Sequence, residues 1–280
     1  MEHTTGFVKS EDGLNLYYQR WYPVTTPLAK VVFLHGIGGH SGQSTYTYLI
    51  NHLVPLGYSI YGLDLRGHGK SEGRRGCINK WEDYRIDLQI LLNQIKRIEP
   101  NNQPIFLLGQ SLGGLLVIEY ALHSHQEVQG VIASAPALSS PNLSPILIAF
   151  LKILAPILPN LILNPQFDVV GVSRDPKEVQ KLLEDPLTEP KISPRLAVEF
   201  LSAIEWTQTH ASELKLPLLL IHGAADPITP TKGSETFFKN VSYEDKTLYL
   251  YEGGYHQAFI DTNRDQVLKD IEAWLEHHLR

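Results

Sequence analysis

Short apolar runs alternate along this chain with longer amphipathic ones. Lys30–Leu34, Tyr58–Leu63, Ile105–Leu108, Val128–Ala133, Leu218–His222 and Thr247–Tyr251 are brief and mostly aliphatic or β-branched. Each reads as a strand buried on both faces. Between them lie stretches with a helical stripe. The clearest is Trp81–Ile98, where Tyr84, Leu88, Leu91, Leu92, Ile95 and Ile98 recur at helical spacing. Thr45–Leu56, Leu115–Leu122 and Gln266–Leu279 are helix-like in the same way. Near the start, Gly6–Lys9 and Asn15–Tyr22 flank the turn signal Glu11-Asp12-Gly13 and predict a hairpin.

Strands apolar on both faces, alternating with helices, predict an α/β fold with a mostly parallel central sheet flanked by helices. In such sheets ligands bind beyond the carboxyl ends of the strands. The alternation lapses from about Pro136 to His210, a proline- and leucine-rich stretch without a strand pattern. It reads as a helical insertion, either a decorative excursion or a lid, because it leaves from a strand end on the ligand side. The expected organisation is a core of residues 1–135 and 211–280, with a helical cap of residues 136–210 inserted in it.

Within that insertion, Ser144–Leu163 is dense in Ala, Ile, Leu and Phe, yet Pro145, Pro156 and Pro159 interrupt it and Lys152 lies inside. At roughly 1.5 Å per residue the stretch between the first two prolines makes about 15 Å of helix. A bilayer core needs ~30 Å, so no membrane span is expected here. Its leucines and isoleucines, Leu151 and Leu154 among them, either pack on the body or line an acyl tunnel or a membrane-facing patch.

Composition narrows the function classes. The chain has 280 residues, 43% hydrophobic and 19% charged, with a net charge of −6, which argues against a broad basic surface for nucleic acid. Cys77 is the only cysteine, so neither an intrachain disulfide nor a cysteine metal cluster is available. No His-Glu-x-x-His pattern and no dinucleotide-binding glycine fingerprint occurs. No metal or cofactor is expected. Met1–Gly6 has neither a basic nor an apolar region, so a leader peptide is not expected, and a cytoplasmic location is.

The candidate chemistry falls at strand ends. Gly109-Gln110-Ser111-Leu112-Gly113 follows the Ile105–Leu108 run and precedes a helix-like run. A Gly-x-Ser-x-Gly in that context is the nucleophile elbow of the α/β-hydrolase fold. A serine hydroxyl needs a base, and the base needs an acid to orient it. In this fold they follow in the order serine, acid, histidine. Asp226 stands in the loop after Leu218–His222 and His256 in the loop after Thr247–Tyr251. Asp261 and Asp245 are competing acids. Backbone amides for the oxyanion are expected from Leu112, directly after the nucleophile, and from Ile37 in the loop His35-Gly36-Ile37-Gly38-Gly39-His40. Arg66 and His68, in Asp64-Leu65-Arg66-Gly67-His68-Gly69, read as loop scaffolding.

From about Gly6 to Leu279 the chain resembles the monoacylglycerol lipase-like α/β-hydrolases, also described as lysophospholipases or serine aminopeptidase S33 proteins. The resemblance rests on His35–Gly42, Asp64–Gly73, Gly109–Gly114 and Tyr251–His256. It rests also on three cap segments: Leu158–Leu161, Ser173–Pro176 and Glu184–Leu187. It implies hydrolysis of carboxylic esters of single-chain lipids, with Ser111, Asp226 and His256 as the triad, and a cap that touches membranes. An amidase or aminopeptidase on the same triad, or a binder of apolar ligands, is the alternative. Relatives acting on monoacylglycerols commonly carry Glu where Gly39 stands, and some carry a basic residue at Gln43 and a second His at Phe259. Those departures predict a less polar, more permissive alcohol pocket.

Overall fold

The computed structural model describes residues 1–99, 102–124, 127–140, 144–164 and 169–279. Its centre is an eight-stranded sheet of order β1-β2-β4-β3-β5-β6-β7-β8. The strands are β1 Glu2–Lys9, β2 Asn15–Tyr22, β3 Ala29–Leu34, β4 Tyr58–Leu63, β5 Ile105–Gln110, β6 Gly130–Ser134, β7 Leu218–Gly223 and β8 Lys246–Tyr251. The hairpin β1–β2 is antiparallel and joins β4 antiparallel. From β4 to β8 every pairing is parallel.

The period-2 alternation of side chains divides the core. Val32, Leu34, Tyr61, Leu63 and Leu107 face one side, with Leu88 and Leu91 of α2 (Glu82–Ile98), Leu115 and Ile118 of α3 (Leu112–His123) and Phe237 of a later helix. Val31, Phe33, Ile60, Phe106 and Leu108 face the other side. There they meet Leu49 and Leu53 of α1 (Thr47–Leu53) and Val267, Ile271 and Leu275 of the last helix. β3 to β7 are buried along their whole length, whereas β8 is a half-exposed edge. Burying an aliphatic or aromatic side chain stabilises by about 1.5–3 kcal/mol each, so the strand ends at which Ser111 and Asp226 stand are held on a fully buried part of the sheet.

Between β6 and β7 lie α4 (Pro145–Ile157), α5 (Pro176–Glu184) and α6 (Pro194–Thr209). All three start in the same way. Ser144, Asp175 and Ser193 accept from the amides of Leu147, Lys177 and Leu196, and a proline occupies the first turn. Such caps satisfy donors that the helix cannot, and proline lacks the donor in any case. α4 lies against α6, and α6 against α3. This region is tied to the loop after β3 by three contacts. His40 Nε2 donates to Asp185 Oδ2 (2.8 Å), Gln43 Nε2 to Thr188 Oγ1 (2.8 Å) and the Glu189 amide to the Gly38 carbonyl (2.9 Å). After β7 come α7 (Lys232–Asn240) and, after β8, α8 (Arg264–His277).

Candidate active site

Ser111 sits between β5 and α3 with φ 56° and ψ −115°, a backbone conformation that costs a non-glycine residue of order 1–3 kcal/mol. Packing enforces it. A Cβ on Gly109 would overlap the carbonyl of Gly113, and one on Gly113 would overlap the carbonyl of Leu34. The two glycines let α3 approach the sheet closely enough to make the sharp turn. The turn is held by the Ser111 amide on the Ser134 carbonyl (3.0 Å).

β7 and β8 bring Asp226 and His256 to the same edge of the sheet. The His256 Nδ1 to Asp226 Oδ2 distance is 2.8 Å. A carboxylate only accepts, so Nδ1 carries the proton and Nε2 presents its lone pair. Asp226 receives four further hydrogen bonds among the described residues. They come from the amides of Ile228 (2.8 Å) and Thr229 (3.0 Å), from Thr229 Oγ1 (2.7 Å) and from His222 Nε2 (3.1 Å). Its side chain is fully buried. Burial pushes its pKa up, yet the hydrogen bonds from His222 and His256 outweigh this and hold the carboxyl well below the ordinary value. His222 is itself fixed. Its Nε2 donates also to the Thr229 carbonyl (2.8 Å), while its Nδ1 accepts from Ser234 Oγ (2.8 Å).

The competing acids are engaged elsewhere. Asp261 binds the Tyr255 amide (2.8 Å) and the Arg174 guanidinium (2.9 Å). Asp245 binds His278 Nε2 (3.0 Å). His35 orders the loop after β3. Its Nε2 accepts from the Leu65 amide (3.0 Å), and its Nδ1 donates to the Gly36 carbonyl (2.7 Å). Burial holds it well below the usual histidine range, and so neutral. Arg66 grips Asp87 (2.6 and 2.7 Å) and Asp12 (3.0 Å) as scaffolding. The amides of Ile37 and Leu112 carry no hydrogen bond among the described residues.

A cavity of about 220 Å³ opens over Ser111 and His256. Gly36, Ile37, Gly39, Gln43, Gln110 and Gln257 line it. Val169, Val172, Leu182, Leu183, Pro190 and Ile228 supply apolar wall. Gly39 and Gln43 thus line the same cavity as Ser111 and His256. Leu151, Leu154 and Phe259 do not line this cavity, and their assignment to it is corrected. Phe259 is fully buried beside Tyr46 and α8. Leu151 is buried on a helix that packs against α6, so its side chain is used in that contact. Gln110 and Gln257 add carboxamides to that of Gln43 in the cavity wall. Among the described residues no Lys, Arg, Asp or Glu side chain lines the cavity.

Sequence reasoning passes over His222, Thr229, Gln110 and Gln257. His222 ends a strand four residues before the acid, and Gln257 directly follows the base. Those adjacencies are the signals that could have found them. Among the described residues no group of three or more His, Cys, Asp or Glu is placed to hold a metal ion.

The family model described as serine aminopeptidase, S33, matches residues 25–263. The chain is 31% identical over 269 residues to a monoacylglycerol lipase of Mycolicibacterium smegmatis, covering 95% of each. It is also 31% identical over 273 residues to the monoglyceride lipase of Rattus norvegicus, covering 96% of this chain and 89% of that one. Among solved structures, the monoacylglycerol lipase of Paleococcus ferrophilus superposes with a TM-score of 0.82 at 34% identity, covering 99% of this chain and 100% of that one. A soluble variant of monoglyceride lipase from Saccharomyces cerevisiae, in complex with a substrate analog, gives 0.86 at 25% identity and covers 98% and 94%.

Proposed function

Because this chain belongs to the serine aminopeptidase S33 family of α/β-hydrolases, we propose that it is a carboxylic ester hydrolase acting on neutral single-chain lipid esters of the monoacylglycerol type, through an acyl-enzyme on Ser111. The observation that carries the reading is the fixed chain from Asp226 through His256 to the cavity in which Ser111 stands. Ser111 Oγ attacks the ester carbonyl while its proton passes to His256 Nε2. The amides of Ile37 and Leu112 hold the oxyanion that forms. His256 then gives the proton to the departing alcohol oxygen. Water, deprotonated by the same nitrogen, cleaves the acyl-enzyme and returns the hydroxyl to Ser111.

The wall chemistry supports the substrate class. The apolar side chains suit an acyl chain, and the carboxamides suit hydroxyl groups. Among the described residues the cavity is lined by no cationic side chain that would meet a phosphate head group and no acidic one that would meet a peptide ammonium. The head-group panel that tests this compares monoacylglycerol, lysophosphatidylcholine and an aminoacyl amide of matched size. Turnover is expected on the first and at least tenfold weaker on the others, the scale that unpaired buried groups impose. Equal turnover of lysophosphatidylcholine would refute the neutral-head-group reading.

The residues 136–210 act, in this proposal, as a cap, and α4 carries its lipid-facing surface. Ile146, Phe150, Ile153 and Ile157 project from one side of α4 with 82%, 54%, 65% and 66% of their surface exposed. An apolar row of that kind partitions into a lipid interface. Among the described residues no helix is long and apolar enough to cross a membrane.

A further inference from the structure

The mechanism leaves the carboxamide of Gln110 unused. Gln110 is the last residue of β5, next to Ser111, and is 1% exposed. Its Nε2 lies 3.1 Å from His256 Nε2. Since Asp226 fixes the His256 proton on Nδ1, the ring nitrogen facing Gln110 is the acceptor and the amide is the donor. That lone pair is the one that must take the proton from Ser111. Among the described residues no hydrogen bond joins the Ser111 hydroxyl to His256. The other end of the carboxamide, Oε1, is buried without a partner. It stands against the oxyanion loop, 2.6 Å from where a Cβ on Gly36 would be, and the residue lines the cavity. A buried carbonyl oxygen without a donor is costly until a donor reaches it.

We propose that Gln110 is a positioning residue that latches His256 in the resting enzyme, and that a substrate hydroxyl donating to Oε1 releases the latch. While the amide occupies the Nε2 lone pair, Ser111 cannot donate to it. A hydroxyl of the alcohol moiety entering the cavity pairs with Oε1 and draws the carboxamide off the ring. Ser111 Oγ–H then donates to Nε2. As the bond from Oγ to the carbonyl carbon forms, the proton moves to Nε2, and nothing else is consumed. The inference rests on the ester-hydrolase reading and deepens it. Hydroxylated alcohols become preferred because they free the base, beyond any effect on binding.

The test compares kcat/KM on the glycerol ester and the ethyl ester of one fatty acid. The enzymes are the wild type, Gln110→Met and, as a second donor-free variant, Gln110→Leu, with thermal midpoints recorded for each. Loss of wild-type turnover on both esters in Ser111→Ala examines the parent reading separately. The latch predicts that a folded donor-free variant hydrolyses the ethyl ester faster than wild type, by about two- to tenfold, the factor to which one net hydrogen bond corresponds. The glycerol ester gains nothing, so the ratio between the two esters narrows. A purely structural role for Gln110 would lower both rates together. An ethyl-ester kcat/KM equal to or below wild type in the folded variants would overturn the latch.

Discussion

At the residue scale the site is an arrangement for keeping one carboxylate ionised and one imidazole oriented. Asp226 is buried, which alone would favour its neutral form, and the donors from His222, Thr229, Ile228 and His256 reverse that preference. Asp226→Asn keeps the shape but offers an amide where a carboxylate oxygen accepted from Nδ1, so the ring turns to the wrong tautomer. We expect kcat to fall ~10⁴-fold with KM nearly unchanged, as steady-state kinetics on a p-nitrophenyl ester would measure. A fall of less than tenfold would mean that another acid serves His256. Ser111, Asp226 and His256 were legible because strand, turn and order each leave a mark in the sequence. Gln110 and His222 were not, because their roles depend on which atom of a side chain meets which other atom. Phe259 was misplaced for the same reason. Chain proximity to His256 says nothing about direction, and its ring turns into the core beside Tyr46.

At the element scale, the alternation of apolar runs and stripes anticipated the parallel strands, whose burial on both faces leaves little room for polar residues. Boundaries were less legible. The helix expected over Thr45–Leu56 is α-helical over Thr47–Leu53, with a 3-10 turn at Ser44–Tyr46 before it. The insertion read as helical without limits, although Ser144-Pro145, Asp175-Pro176 and Ser193-Pro194 mark all three helix starts. What apolar content could not reveal is that α4 buries Leu151 and Ala155 and turns Ile153 and Ile157 outward. The lipid-facing role proposed for α4 is therefore tested on the outward residues. Ile153→Asp with Ile157→Asp is expected to reduce cosedimentation with phosphatidylcholine vesicles by at least threefold, since each buried apolar side chain is worth about 1.5–3 kcal/mol. Turnover of a short water-soluble ester should be unchanged. Equal cosedimentation would remove α4 from the membrane contact.

At the scale of the whole molecule, the core and the residues between β6 and β7 are joined by ion pairs and hydrogen bonds as well as by packing. Asp261 ties Arg174 to the loop that ends in His256. Burial raises its pKa, but Arg174 and the backbone donors prevail and leave it lowered from 3.8. Asp226 is lowered from the same ordinary value. A carboxyl lowered on folding stabilises the native state above its unfolded value, and this stabilisation is lost as the pH falls below it. The thermal midpoint should thus decline as the pH drops below about 4. Asp261→Asn should start lower at neutral pH and show a flatter acid limb. An acid limb unchanged by Asp261→Asn would show that this carboxyl is not held down by its partners.

The claim on which the rest depends is that Ser111 forms the acyl-enzyme, and its most direct test is the turnover of monoacylglycerol by Ser111→Ala against wild type under identical conditions. The account predicts a kcat lower by ~10⁴ to 10⁶, the loss seen when a catalytic triad acts as a unit. Retention of more than a tenth of wild-type turnover, in a variant with an unchanged thermal midpoint, would contradict it.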